Sequence, residues 1–145
     1  MAIIRFFEKP GCINNTKQKK LLALAGHDVV AENLLTHPWT RDSLLEFLGP
    51  LPLFKWFNPT APAITRGNFN PAHQTPETAI DAMLRDPLLI KRPLMEISGE
   101  KLVGFDLDAI NRIAALGPSE DPRFNQLMTE NLVNCPKQNT GSQCD

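Results

Sequence analysis

The chain has 145 residues, 42% of them apolar and 21% charged, with a net charge of −1. These values belong to one globular domain able to bury a core without disulfide or metal staples, and they exclude a disordered chain. A near-neutral chain without a long basic run does not bind nucleic acid or an anionic membrane surface through bulk charge. The start carries no basic stretch leading into an apolar run and a small-residue cleavage site. No segment approaches the ~20 apolar residues of a membrane span, so a cytoplasmic protein is expected. Cys12, Cys135 and Cys144 do not make a disulfide framework. His27, His37 and His73 share no metal-ligand spacing with them, so no zinc or iron–sulfur site is expected.

Ala2 to Phe7 is β-branched and aromatic and reads as a buried central strand. The turn Glu8-Lys9-Pro10-Gly11-Cys12 leads into a helical pattern from about Ile13 to Ala25, stopped by Gly26. Its apolar face holds Leu21, Leu22, Leu24 and Ala25, and Lys17-Gln18-Lys19-Lys20 is expected to form the solvated face. His27 to Leu35 resumes strand character, which makes a βαβ unit with parallel strands. Thr40 caps a helix through Leu48 that Gly49-Pro50 ends. Leu51 to Asn70, rich in proline and aromatics, reads as an irregular segment with one short helix. Trp39, Trp56 and Phe57 are expected to anchor it; an exposed Trp56-Phe57 patch would instead be a partner surface. Thr75-Pro76-Glu77 starts a helix that Asp86-Pro87 ends. Leu88 to Ile97 holds a proline at the mouth of a strand, and Ser98–Lys101 can turn it into Leu102–Phe105. Asp106 or Asp108 opens a helix to Leu116, and a weaker helical pattern follows from Phe124 to Val133. The last residues, from Cys135, are polar and read as a mobile tail. The order βαβ, helical middle, ββ hairpin and helix makes an α/β fold with a mixed sheet of about four strands, most simply a thioredoxin-like one.

Cys12 stands where the first strand hands over to the first helix. A helix N-terminus presents unpaired N–H groups and a partial positive charge, which together with Lys9 favour a thiolate. Glu8 opposes this, because a carboxylate beside the sulfur disfavours the anion. Cys12 is therefore either a working thiol or a small packed residue. Asn15 stands where a second cysteine would complete a C-x-x-C pair; it either donates a hydrogen bond to the sulfur or is an ordinary first-turn residue. Cys135 and Cys144 are either resolving thiols that loop back to Cys12 or two unrelated cysteines.

Several strings resemble the arsenate reductase (ArsC) family of thioredoxin-like proteins over about the first 116 residues. They are Pro10-Gly11-Cys12, Thr40-Arg41-Asp42-Ser43-Leu44 and Asp86-Pro87-Leu88-Leu89-Ile90-Lys91-Arg92-Pro93-Leu94. Glu8-Lys9-Pro10-Gly11-Cys12-Ile13-Asn14-Asn15-Thr16-Lys17-Gln18 and the cysteine-containing extension are similar to the subgroup called nitrogenase-associated proteins. The resemblance implies residues 1–117 as the thioredoxin-fold domain with a helical insertion at about 40–86, and 118–145 as a helical and flexible extension. It implies Cys12 as the attacking cysteine, Arg92 as an oxyanion-binding arginine and Pro93 as a cis-proline facing the thiol. Arg92 read on its own could equally form a structural ion pair with Glu8 or Glu96.

Three positions depart from the reductases. Glu8 replaces a histidine, Lys55-Trp56-Phe57-Asn58 lacks the second anion-binding arginine, and Gly104-Phe105 replaces the third. Losing two of three cations argues against efficient arsenate reduction. The implied function is an accessory protein of nitrogen fixation with a monothiol redox role for Cys12, in which nitrogenase components or an assembly factor are the partners. A glutathione- or glutaredoxin-linked reductase of the arsenate reductase type is the alternative, with glutathione as co-substrate and no tightly bound cofactor. A transcription regulator like the Spx group is weaker, because the C-x-x-C pair and a basic surface are both missing.

Overall fold

The computed structural model describes residues 2–117 and 121–130. At its centre lies β1 (Ile3–Glu8), whose Ile4 and Phe6 bury on one face and Phe7 on the other. The sheet has four strands in the order β2-β1-β3-β4. β2 (Asp28–Asn33) runs parallel to β1, while β3 (Leu94–Ile97) pairs antiparallel with both β1 and β4 (Glu100–Val103). A parallel pair needs a crossover. Helix α1 (Ile13–Leu24) supplies it, and Gly26 at φ +95° turns the chain back into β2. This is the mixed α/β, thioredoxin-like sheet expected from the element order.

One face of the sheet is covered by the segment between β2 and β3. Helices α2 (Arg41–Leu48) and α4 (Pro76–Arg85) each begin with a reciprocal hydroxyl cap, Thr40 with Ser43 and Thr75 with Thr78. Between them lie two 3₁₀ turns and one short helix, α3 (Pro62–Thr65). Phe7, Phe47, Trp56, Ile80 and Met83 share the core on this side. Trp56 is buried and its indole N–H donates to the Leu51 carbonyl at 3.0 Å, so the Trp56-Phe57 pair is an anchor and not an exposed patch. The Trp39 ring stands 5.0 Å from Phe7 and 5.9 Å from Phe47, pinning the start of the segment to the central strand.

The other face is covered by α1, α5 (Leu107–Ile113) and α6 (Pro122–Thr129). Ile4, Phe6, Leu21, Leu22, Ile110, Phe124 and Leu127 form its core. Asp106 opens α5 by accepting from the N–H groups of Asp108 and Ala109. The helix ends at Ile113, short of the expected Leu116, because Ala114 turns extended and the Asn111 side chain takes the Leu116 N–H at 2.9 Å. Asp121 caps α6, and Arg123 beside it holds the Asp121 carboxyl below its ordinary pKa. The expected helix from Phe124 begins at Pro122, and residues 131–133 fall outside the described residues, as do Cys135 and Cys144.

Two boundaries are tighter than expected. Ser98 and Gly99, both at positive φ, make a two-residue hairpin turn, which puts Glu100 and Lys101 inside β4. β2 starts after His27, because that imidazole is used elsewhere. Its Nδ1 accepts the Ala2 N–H at 3.0 Å and its Nε2 lies 2.7 Å from the Ala115 carbonyl. The Ala2 N–H can only donate, so Nε2 carries the ring proton. His27 thus ties the start of β1 to the segment after α5.

His27→Leu is expected to destabilise the protein by roughly 2 kcal/mol or more, since two backbone groups lose their partner in a largely buried site. His27→Gln, with one acceptor and one donor, recovers part of the loss. Chemical denaturation checks both; a loss below about 0.5 kcal/mol for His27→Leu would rule out the tether.

Candidate functional site

Antiparallel pairing decides which loops meet. Phe7 near the end of β1 stands opposite Leu94 at the start of β3, and Leu94 opposite Val103 at the end of β4. The Lys9–Cys12 turn, the Lys91–Pro93 approach and Gly104 therefore gather at one end of the sheet.

The turn is built from its own residues. The Cys12 N–H donates to the Lys9 carbonyl at 3.1 Å, Pro10 sets the first central position and Gly11 takes the second at φ +85°. A type II turn needs that positive φ, which is why glycine stands there. The turn delivers Cys12 to the N-cap of α1, and the Cys12 carbonyl accepts the Thr16 N–H at 3.0 Å as the first helical bond.

α2, α4, α5 and α6 are all capped by a side-chain oxygen, whereas the Cys12 side chain makes no capping hydrogen bond. Ser, Thr, Asp or Asn at that position is worth about 1 kcal/mol to a helix. α1 forgoes this to place sulfur at its positive end. Cys12 is buried, 3% exposed, whereas Pro10 and Gly11 before it are exposed, and among the described residues it is in no disulfide.

Asn15 holds the junction together. Its Oδ1 accepts the Lys9 N–H at 3.1 Å and its Nδ2 donates to Gln18 Oε1 at 2.9 Å. Of the two readings of Asn15, a donor to the sulfur or a first-turn residue, the described hydrogen bonds put its oxygen on the turn and one amide N–H on Gln18. The contribution of Lys9 seen here is likewise made by its backbone.

The expected solvated face of α1 is corrected. Asn14, Asn15 and Gln18 are buried, so the inward face of the first half of the helix is polar. Lys19 lies over Glu8, with Nζ 2.7 Å from Oε2, and Lys17 pairs with Glu130 after α6 at 3.0 Å. Glu8 is therefore not a bare carboxylate beside the thiol, because Lys19 compensates it in a largely buried pair.

Across the sheet end, the Arg92–Pro93 peptide bond is cis, as the resemblance implies, and the Pro93 carbonyl accepts the Gly104 N–H at 2.8 Å. Glu8 pairs with Lys19, and Glu96 with Lys101 at 3.4 Å. Sequence reasoning passed over Lys91. Its backbone N–H donates to the Trp56 carbonyl at 2.9 Å, and its Cε lies 3.4 Å from where a Cβ on Gly104 would stand. Burial lowers the pKa of the Lys91 ammonium, and the Arg92 guanidinium adds to the effect. Lys91 and Arg92 lie in a bend ahead of a cis-proline, outside any strand, so no periodicity in the sequence marked Lys91.

The described residues bring no three His, Cys, Asp or Glu side chains together as a metal-ligand group, and no described helix is long and apolar enough to cross a membrane.

No protein-family model matches the chain. It is 40% identical over 144 residues to an uncharacterized 15.7 kDa protein in the draG 3′ region of Rhodospirillum rubrum, covering 99% of this chain and 95% of that one. The two belong to one family. Their shared fold is seen in solved structures of low sequence identity. An ArsC family related protein from Bacteroides fragilis superposes with a TM-score of 0.66 at 23% identity, over 76% of this chain and 97% of that one. An arsenate reductase from Vibrio cholerae superposes with a TM-score of 0.64 at 17% identity, over 77% and 98%. The fold of the chain is the ArsC-like thioredoxin fold.

Asn15→Ala is expected to cost about 1–3 kcal/mol by removing the partner of the Lys9 N–H and of Gln18. It should also speed iodoacetamide labelling of Cys12, because the turn that covers the sulfur loses its clasp. Labelling no faster than wild type would mean that Asn15 does not hold the turn shut.

Proposed function

We propose that the protein is an ArsC-like accessory protein of nitrogen fixation in which Cys12 works as a single redox thiol. The observation that carries the reading is the placement of Cys12. It occupies the cap of α1 without a capping bond, at the same sheet end as Arg92 and the cis Pro93, with Asn15 in place of a second thiol. A dithiol cycle inside the turn is excluded by composition, and on this reading the oxidised form is a mixed disulfide with an outside thiol. In that cycle the Cys12 thiolate attacks one sulfur of a disulfide such as glutathione disulfide. A new sulfur–sulfur bond forms, the old one breaks, and the departing thiolate takes up a proton. A second glutathione or glutaredoxin thiol then attacks the mixed disulfide and regenerates Cys12. The burial of Cys12 makes opening of the Lys9–Gly11 turn part of each exchange.

Arg92 is the residue suited to hold the carboxylate of the thiol partner. Arsenate is a poor substrate on this reading, since Gly104 brings no side chain to the site and Glu8 is already paired to the nearest α1 lysine. The nitrogen-fixation setting is supported by the relative in the draG 3′ region.

Incubation of the native protein with glutathione disulfide is expected to add one glutathionyl group, mapped by peptide mass spectrometry to Cys12 and absent in Cys12→Ser. A native protein that stays unmodified at Cys12, while the denatured chain is modified there, would overturn the thiol role.

Affinity capture from nitrogen-fixing cells tests the setting. Wild type is expected to retain a component of the nitrogenase system through a bond that dithiothreitol releases and that Cys12→Ser does not form. Equal recovery of that component by Cys12→Ser would separate the partner from the thiol.

A further inference from the structure

A cavity of about 480 Å³ opens between the helical insertion and the β4 end of the sheet, a size typical of small-molecule sites. Phe54, Phe57, Ile64 and Val103 give it apolar walls, and Lys55 and Lys91 give it charge. No residue of the Cys12 turn lines it. Phe57 is buried beneath, with its ring 5.5 Å from Phe69, whereas Phe54 at the rim is 75% exposed. A phenyl ring left three-quarters in water beside an apolar cavity has surface to offer a ligand.

Lys91 is the informative member. Its backbone is held by the Trp56 carbonyl, and the preceding residue Ile90 pairs with Phe57 in an isolated bridge. Its aliphatic stem passes against Gly104, where the missing Cβ leaves room. Among the described residues no carboxylate pairs with its ammonium, and the neighbouring charge that acts on it is the like charge of Arg92. Asp106, the acid on the cavity wall, has its Oδ1 engaged by the N–H groups of Asp108 and Ala109 at the start of α5. A half-buried ammonium with no counter-ion is held at a cost that an anionic ligand relieves.

We propose that this cavity binds a small organic anion, an aromatic body lying against Phe54 and Phe57 and its carboxylate or sulfonate pairing with Lys91. The site is separate from the thiol and does not rest on the redox reading of Cys12. Inorganic anions alone fill only the Lys91 end and leave the apolar walls in water, so they bind weakly.

The test is a fluorescence titration of the full chain with 8-anilino-1-naphthalenesulfonate and with its neutral counterpart N-phenyl-1-naphthylamine, which shares the aromatic body and lacks the sulfonate. The expected result is one saturable site that holds the sulfonate at least about tenfold more tightly than the neutral probe. Lys91→Met removes that preference, Lys91→Arg keeps it, and Phe54→Ala weakens both probes. In wild-type protein, the sulfonate shifts the amide resonances of Phe57 and Val103. Equal affinity for the two probes, a preference that survives Lys91→Met, an equal loss in the surface variant Lys20→Met, or amide shifts confined to other regions would each overturn the proposal.

Discussion

The molecule depends on β1 being satisfied on both edges and both faces. Its edges pair with parallel β2 and antiparallel β3, and its side chains divide between two cores, Phe7 to one and Ile4 and Phe6 to the other. A strand so enclosed has little freedom to shift, because a slip of one residue would exchange its faces and carry Arg5 into an apolar core. Arg5 instead lies toward Glu32 on β2, 2.6 Å away, and over the Phe7 ring. Whatever β1 ends in is therefore held at a defined point. It ends in Glu8 and the turn to Cys12.

The first half of α1 shows what holding that point requires. A helix packed on a sheet ordinarily turns an apolar stripe inward. Here the first two turns put Asn14, Asn15 and Gln18 inward, and the apolar stripe resumes at Leu21 and Leu22. Asn15 reaches back to the Lys9 amide, so a buried polar residue ties the turn to a helix that has no side-chain cap. The packing there is specific more than it is strong. An apolar residue at position 15 would bury better and leave the turn untied.

Charges around the sheet and its covering helices are arranged in compensated pairs. Glu8 is covered by Lys19, Glu96 by Lys101, and Arg41 on α2 reaches Asp81 on α4. Lys91 lines the cavity, and among the described residues no carboxylate pairs with it. The thiol and this lysine stand on different loops, and no residue of the Cys12 turn lines the cavity. The two proposals thus assign the ArsC-like fold separable chemistries, one centred on sulfur and one on an ammonium.

Most of the element order was legible in the chain because the deciding signals are local. Thr40 and Thr75 as caps, Gly11 and Gly99 at positive φ, and the β-branched run of β1 each act within a few residues. The pair Pro10-Gly11 before Cys12 likewise announced the turn that presents the thiol, whereas the cis bond at Arg92-Pro93 was implied by the family resemblance alone. The misread positions were those whose partners lie far along the chain. Gln18 looked solvated because its neighbours are lysines, but it packs inward beside Asn15. Asn15 and Glu8 looked like reagents around the sulfur until Lys9 and Lys19 took them up. Lys91 carried no local signal of its role, which depends on the cavity it lines and on the room Gly104 leaves for its stem. By itself the sequence determined the strands, the helix starts and the residue at the cap of α1, since propensity, capping and turn geometry are properties of short segments. Which polar groups are spent on one another and which charge is left facing a cavity was decided only by the tertiary structure. Hydrogen bonds and desolvation depend on distances that exist only once the sheet has brought its loops to one end.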